Sequence, residues 1–243
     1  MDTREYLDAV GRDGALLVSA ARDGLERPVP SCPGWVAADV VAHTGTVHRQ
    51  VADRVRRGSA SGRDVADVAA PGGPAVLPWF EEGLAQLEEV LGTADLERPV
   101  WNWSVTKPRT ARFWPRRMAQ ETAVHRVDAE QATGSMHAIE ARLAADGVDE
   151  FFEVFLPIDA GAFIGRGEAV GVRTTDEPTE WTVTAGPAGA IAERQSSAGA
   201  AAGLSGGASD VLLALWRRVS IDALEVSGDR ELAARFARAT DLA

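Results

Sequence analysis

The sequence has few features that would cross-link the chain or attach it to a membrane. Cys32 is the single cysteine, so an internal disulfide is excluded and a reducing compartment is expected. No apolar run approaches the roughly 18 residues of a membrane span. The first ten residues, MDTREYLDAV, also lack the apolar region of a secretion signal. These absences predict a soluble, cytoplasmic protein.

Positive charge is also scarce, and what there is comes almost entirely from arginine. Lys107 is the only lysine, and the formal net charge is -11. A chain of this charge repels a phosphate backbone, and no long Lys/Arg cluster offsets that repulsion. The sequence contains no glycine-rich phosphate loop and no dinucleotide-binding fingerprint. Nucleic acid is therefore not an expected partner, and neither is a membrane; we expect a small-molecule substrate.

The first part of the chain repeats a helical pattern of apolar residues. Four amphipathic helices are predicted, over residues 2–23, 36–57, 79–91 and 115–134. A stretch from Gly58 to Pro78, rich in Gly, Pro, Ser and Ala, is too long for a tight turn and indicates a crossover connection. Four such helices with one long crossover predict a four-helix bundle.

The pattern changes in the last third of the chain. A further helix is predicted over residues 140–155 and leads out of the bundle. Alternating residues predict strands at 169–175, 180–184, 189–195 and 223–226, with helices at 208–219 and 230–239. The expected fold is thus an α-helical four-helix bundle (1–157) followed by a small α+β domain (158–243).

Ionisable residues interrupt the apolar face of the fourth predicted helix. Glu121 and His125 are one turn apart, so both side chains reach the same point between helices. His43 lies at the edge of the apolar stripe on the second helix, facing the bundle interior. His48 lies about 140° away around that helix and is interpreted as a surface histidine. The fourth-helix face comprises Trp114, Met118, Glu121, His125, Asp128 and Ala132.

His43, Glu121 and His125 together form a three-ligand set with room for a fourth ligand. This is the arrangement of catalytic zinc sites, and it also describes a mononuclear iron(II) site. We favour zinc. Asp128, one turn beyond His125, is expected either to accept the ring N–H of that histidine or to pair with an arginine.

A solvated Glu–His pair is the simpler interpretation, because such pairs are common on helices. Against it, three unpaired ionisable groups buried on an apolar face would cost several kcal/mol, and a cation would remove that penalty. A second cluster of charge surrounds Trp114 and is interpreted as a solvated helix start, with contact to an acidic substrate as the alternative. Its members are Arg109, Arg112, Arg116 and Arg117.

Five motifs resemble a known family. PSCPGW (30–35), DVVAH (39–43) and ETAVHRVD (121–128) resemble the mycothiol-dependent maleylpyruvate isomerases of actinobacteria, which are related to DinB-like bundles. Later in the chain, SDVLLALWRR (209–218) and VSGD (226–229) resemble the C-terminal domain of the same family. The resemblance covers nearly the whole chain.

The resemblance implies a zinc ion held by His43, Glu121 and His125, with the low-molecular-weight thiol mycothiol as cofactor. It also implies that thiolate addition to the cis double bond of maleylpyruvate permits rotation and gives fumarylpyruvate. An arginine of the C-terminal domain would anchor the dicarboxylate, and Arg218 is our choice over the neighbouring Arg217. The alternative for both arginines is a solvated helix end.

Three functional hypotheses follow. The first is an isomerase of the maleylpyruvate type that recycles mycothiol. The second is a mycothiol S-transferase, in which the same thiolate attacks an electrophile and remains attached. The third is a metal-binding or regulatory module without turnover.

Overall fold

The structure is a computed structural model that describes residues 1–62, 66, 68–105, 107–158 and 163–238. The chain divides into two compact units, the first spanning Met1–His137 and the second beginning at Ala138. In the described part of the chain, no helix has both the length and the apolar character needed to cross a bilayer.

The first unit contains four long helices, as predicted. They are α1 (Thr3–Arg22), α2 (Ala37–Arg57), α3 (Val76–Thr93) and α4 (Phe113–Thr133). Local sequence signals set their ends. Asp2 and Glu5 form a capping box at the start of α1, while Gly58 and Gly134 end α2 and α4 in the left-handed conformation that glycine adopts without strain.

The four helices pack around one apolar core. Helix α4 contacts α1 and α2, and α3 contacts α1 and α2 in turn. Leu17, Phe80, Leu87 and Met118 are completely buried. The predicted crossover from Gly58 to Pro78 includes residues 63–65 and 67, which lie outside the described residues. A 3₁₀ turn over Gly73–Ala75 leads into α3, which begins at Val76, three residues earlier than predicted. This arrangement fixes α2 beside α4, the two helices that carry the predicted ligands.

The second unit contains a five-stranded sheet within the described residues. Its strands are β1 (Ala169–Thr174), β2 (Thr179–Gly186), β3 (Gly189–Glu193), β4 (Ala202–Gly206) and β5 (Glu225–Gly228). Their order is β3-β2-β1-β4-β5, in which β1 and β4 are parallel and the other neighbours are antiparallel. A bundle followed by an α+β unit is the predicted fold class, which is confirmed.

Helices complete the second unit. They are α5 (Ala141–Glu150), a π-helical segment (Phe151–Phe155), the short α6 (Leu156–Ile158), α7 (Ala208–Leu215) and α8 (Arg230–Ala237). Residue 239, the predicted end of the last helix, lies outside the described residues. Helix α5 packs against α7, and the π-helical segment adds aromatic contacts such as the edge-to-face pair of Phe151 with Trp216, whose ring centroids are 5.4 Å apart.

The division between the units lies earlier than the expected boundary at 157/158. Helix α5 turns its apolar side chains toward α7, and Leu143 and Val148 are fully buried there. Residues 138–157 therefore group with the second unit. The sequence periodicity identified this helix correctly, but an apolar face does not specify which of two cores will cover it.

Candidate metal centre

His43, Glu121 and His125 lie close together where α2 packs against α4. The His43 Nε2 atom is 3.4 Å from Glu121 Oε1, and the His125 Nε2 atom is 3.3 Å from the same oxygen. One possible ligand atom from each residue lies within 4.8 Å of the other two. Sequence spacing alone had selected these three residues, and the structure brings them together.

The three side chains differ in their exposure to solvent. The side chain of His43 is 39% exposed, that of Glu121 20% and that of His125 11%. The cluster is thus deep enough to exclude most water and remains reachable from the His43 side. A metal bound by three protein ligands needs this access for a fourth, exchangeable ligand.

Glu121 and His125 each shift the pKa of the other. Burial disfavours the charged form of both Glu121 and His125, but the imidazolium of His125 holds the pKa of the Glu121 carboxyl well below its usual range. Conversely, Glu121 and Asp128 overcome the effect of burial and raise the pKa of His125 to about 9. Without a metal, the cluster thus holds a proton on His125 beside an anionic Glu121. Two imidazole nitrogens and one carboxylate oxygen are a donor set that fits a divalent cation in place of that proton.

Asp128 contacts His125 as its spacing predicted. Its Oδ2 atom lies 2.9 Å from His125 Nδ1, and the Asp128 side chain is fully buried. The Oδ1 atom accepts a hydrogen bond of 2.6 Å from the hydroxyl of Ser31. The Nδ1 side of His125 is therefore occupied by a hydrogen bond, and Nε2 faces Glu121. This is the usual arrangement of metal-binding histidines.

Arg117 is buried, so its interpretation as part of a solvated helix start is wrong. Its side chain is only 2% exposed, and Nη2 lies 3.4 Å from Glu121 Oε2. The guanidinium therefore compensates the charge of the carboxylate on the side away from the histidines. Arg117 precedes Glu121 by one turn on α4, a spacing that would have indicated this contact had the whole face been assumed buried.

His48 is buried, so its interpretation as a surface histidine is wrong. Its side chain is inaccessible to solvent, and Nε2 lies 2.9 Å from the hydroxyl of Thr122. That hydroxyl donates to the Met118 carbonyl at 2.7 Å, so it accepts from His48 Nε2–H. Burial lowers the pKa of His48 to about 3. The angular argument failed because α2 contacts two helices, α3 and α4, and so is covered on two sides.

Arg218 and Arg217 lie in the second unit, directly after α7. Arg218 is half-buried, and its Nη1 donates to the Trp216 carbonyl at 2.9 Å. Arg217 is exposed and adopts a φ of 57°, in the left-handed region. A catalytic role for Arg218 stays a prediction.

The fold and the donor set define a class: a helical bundle with a His-Glu-His cluster between two helices, followed by an α+β unit. Two family models match this chain. The model described as the mycothiol maleylpyruvate isomerase N-terminal domain matches residues 7–130, and the C-terminal domain model of the same family matches residues 142–235. The chain belongs to the mycothiol-dependent maleylpyruvate isomerase family.

Solved structures agree on the fold. A crystal structure of a mycothiol-dependent maleylpyruvate isomerase is similar at a TM-score of 0.62 and 12% identity, covering 93% of each chain. A mutant of such an isomerase is similar at a TM-score of 0.53, again with 12% identity and 93% coverage of each chain. No curated protein is significantly similar in sequence. The predicted family is thus confirmed, with a fold that persists at low sequence identity.

Proposed function

We propose that the chain is a zinc-dependent, mycothiol-using enzyme of the maleylpyruvate cis–trans isomerase type. The observation that carries this proposal is the convergence of His43, Glu121 and His125 within 4.8 Å, in a chain of this family. The small-molecule substrate and the thiol are expected from the similar solved isomerase. A cytoplasmic location, where a thiol remains reduced, agrees with the single cysteine.

The chain's own residues would prepare the site in three ways. His43, Glu121 and His125 would hold a Zn²⁺ ion. Asp128 would accept a hydrogen bond from the Nδ1–H of His125 and so fix its ring, and Arg117 would limit the net negative charge around Glu121. A bound Zn²⁺ would supply Lewis acidity that favours the thiolate of a thiol. Mycothiol would supply a sulfur nucleophile able to add reversibly to a cis double bond.

Arg218 is the residue that we propose for substrate binding. A guanidinium presents two parallel N–H donors that match a carboxylate, and maleylpyruvate carries two carboxylates. Arg218 would hold one of them and so orient the double bond. This role differs from that of Arg117, whose buried guanidinium is directed to Glu121.

Metal analysis tests the site. We expect the purified chain to bind one equivalent of Zn²⁺ and His43→Ala to lose it, because the variant removes one of three ligands. His137→Ala is the matched control: it alters another histidine of the same unit, whose side chain is 73% exposed. Equal zinc content in all three proteins would contradict the proposed site.

Two assays test the reaction. We expect maleylpyruvate to isomerise only when mycothiol is present, with no net consumption of the thiol. Thiol consumption during conjugation to an electrophilic bimane, without isomerisation, would instead identify an S-transferase. A zinc-loaded chain that is inactive in both assays would point to a metal-binding module without turnover.

A further inference from the structure

A short loop before α2 contacts His43 directly and is linked to His125 through Asp128. The loop comprises residues 30–35, and a hydrogen bond joins its two ends: the N–H of Val29, just before the loop, donates to the Trp35 carbonyl at 2.9 Å. Gly34 makes the reversal with a φ of 86°. This closure holds Ser31 and Trp35 in fixed positions relative to α2.

Ser31 reaches from this loop to α4. Its hydroxyl lies 2.6 Å from Asp128 Oδ1, and because a carboxylate only accepts, the hydroxyl is the donor. The other carboxylate oxygen lies 2.9 Å from His125 Nδ1. A continuous chain of two hydrogen bonds therefore joins the loop to the face of His125 that points away from Glu121.

Trp35 reaches the other histidine. Its ring centroid lies 5.2 Å from that of His43, with the ring planes inclined at 60°. The His43 ring in turn packs edge-on against His125, with centroids 4.9 Å apart. The loop thus restrains two metal-binding residues that come from different helices.

We infer that Ser31 is a positioning residue for the metal centre, acting on His125 through Asp128. The inference rests on the proposed function, since it assigns Ser31 to the same site. The Ser31 hydroxyl donates to Oδ1 of the buried Asp128 carboxylate and so favours the rotation that directs Oδ2 toward Nδ1. The imidazole orientation, and hence the direction of Nε2, follows from that carboxylate.

Zinc affinity measured by competition with a chromophoric chelator tests the inference. We expect Ser31→Ala to weaken Zn²⁺ binding about 3- to 10-fold, less than the roughly 10- to 100-fold cost of losing a direct hydrogen-bond partner of a ligand. Ser31→Thr retains a hydroxyl and should restore the affinity. The matched control is Ser197→Ala, which removes an equally short 2.6 Å hydrogen bond from a serine to Glu180 in the second unit.

A spectroscopic measurement separates positioning from a general loss of stability. In the metal-free chain, the Nδ1 proton of His125 should give a downfield NMR resonance because it is hydrogen-bonded to a carboxylate. We expect this resonance to broaden through exchange in Ser31→Ala and to persist in Ser31→Thr and Ser197→Ala. A change in folding stability alone would not produce that difference.

The outcomes distinguish the inference from the proposed function. If the wild-type chain binds Zn²⁺ and Ser31→Ala binds it equally well with an unchanged His125 resonance, the positioning role is overturned while the metal site stands. If the wild-type chain binds no Zn²⁺, the proposed function fails, and the role of Ser31 fails with it.

Discussion

Glu121 is the residue on which the electrostatics of the candidate centre depend. One of its carboxylate oxygens faces both His43 and His125, and the other faces Arg117. The Arg117 guanidinium and the His125 imidazolium therefore face the same carboxylate. Removing that anion leaves these two cations less well compensated and takes away the one anionic group among the three proposed ligands.

Glu121→Gln should therefore abolish tight zinc binding while nearly preserving side-chain shape. We expect a loss of affinity greater than the roughly 10- to 100-fold cost of altering an outer hydrogen-bond partner, because the charge is removed from a direct ligand. Isothermal titration with Zn²⁺ measures it. Glu81→Gln, at a carboxylate with 52% exposure on α3, is the control and should bind normally. Unchanged affinity in Glu121→Gln would exclude this residue as a ligand.

His48 should make the first unit sensitive to mild acid. Burial lowers its folded-state pKa to about 3, whereas an unfolded histidine has a pKa near 6.5. The stabilisation is therefore complete above about pH 6.5 and declines as the pH falls toward 3, because only the unfolded chain takes up the proton. Between pH 7 and 5 this contribution to the free energy of unfolding falls by about 2 kcal/mol.

His48→Gln removes that titration, so its stability should decline less than the wild type's over the same pH range. Hydrogen exchange of the α2 and α4 backbone amides, followed from pH 7 to 5, gives the free energies of opening. The difference between the two proteins should change by about 2 kcal/mol, whatever the absolute stability of the variant. Parallel pH dependences would show that His48 takes up its proton without unfolding.

Some residues of the site could be predicted from local helical spacing, whereas others depend on tertiary contacts. Helical periodicity is sufficient to place Glu121 and His125 on one face, because one turn separates them. The burial of His48 and Arg117 depends on how many helices pack around α2 and α4. The apolar pattern of one helix does not contain that information. Ser31 lies in the PSCPGW motif, but its contact with Asp128 spans 97 positions in sequence and has no local signal.

At the scale of elements, helix ends were easier to predict than strands. Gly58 and Gly134 indicate the ends of α2 and α4 in the sequence. Strand β4 was missed because its sequence, AGLSG, lacks the β-branched and aromatic residues typical of strands. It forms because it lies between β1 and β5, so that neighbours on both sides satisfy its backbone. That pairing is tertiary and leaves little trace in local composition.

The end of β5 shows how closely this part of the sheet is packed. Gly228 has a φ of 67°, and a Cβ atom there would overlap the Ala201 carbonyl oxygen. Gly199 has a φ of 91°, but a Cβ atom there would meet nothing within 4 Å. Both glycines adopt a backbone conformation that is unfavourable for any other residue. They differ in whether there is space for a Cβ atom.

Gly228→Ala should therefore destabilise the second unit more than Gly199→Ala. The left-handed conformation costs about 1–2 kcal/mol in both variants, and the clash in Gly228→Ala adds a further penalty of about 1–3 kcal/mol. Thermal unfolding of the two variants and the wild type measures the difference. Equal melting temperatures for the two variants would mean that the backbone near Ala201 moves to accommodate the methyl group.

At the scale of the molecule, the proposed chemistry is divided between two units with separate cores. The three proposed zinc ligands all lie in the first unit, whereas Arg218 lies in the second. Zinc binding should thus require only the first unit, and turnover should require both. The position of the boundary decides which fragments can test this division.

Helix α5 supplies the strongest argument for a boundary at 137/138. Leu143, Ala144 and Val148 are fully buried, and they belong to the helix that packs against α7. A fragment beginning at 158 would expose the side of α7 against which α5 packs, at about 25 cal/mol per Å² of apolar surface. A fragment beginning at Ala138 keeps that cover.

We therefore expect the fragment 138–243 to fold cooperatively and the fragment 158–243 to remain unfolded or to aggregate. Circular dichroism during heating should give a single sharp transition for the longer fragment, and its NMR spectrum should show dispersed amide resonances. The complementary fragment 1–137 contains all three proposed ligands and should bind one equivalent of Zn²⁺. Cooperative folding of 158–243 with equal stability would show that α5 is dispensable to the second core, and would favour the later boundary that the sequence alone suggested.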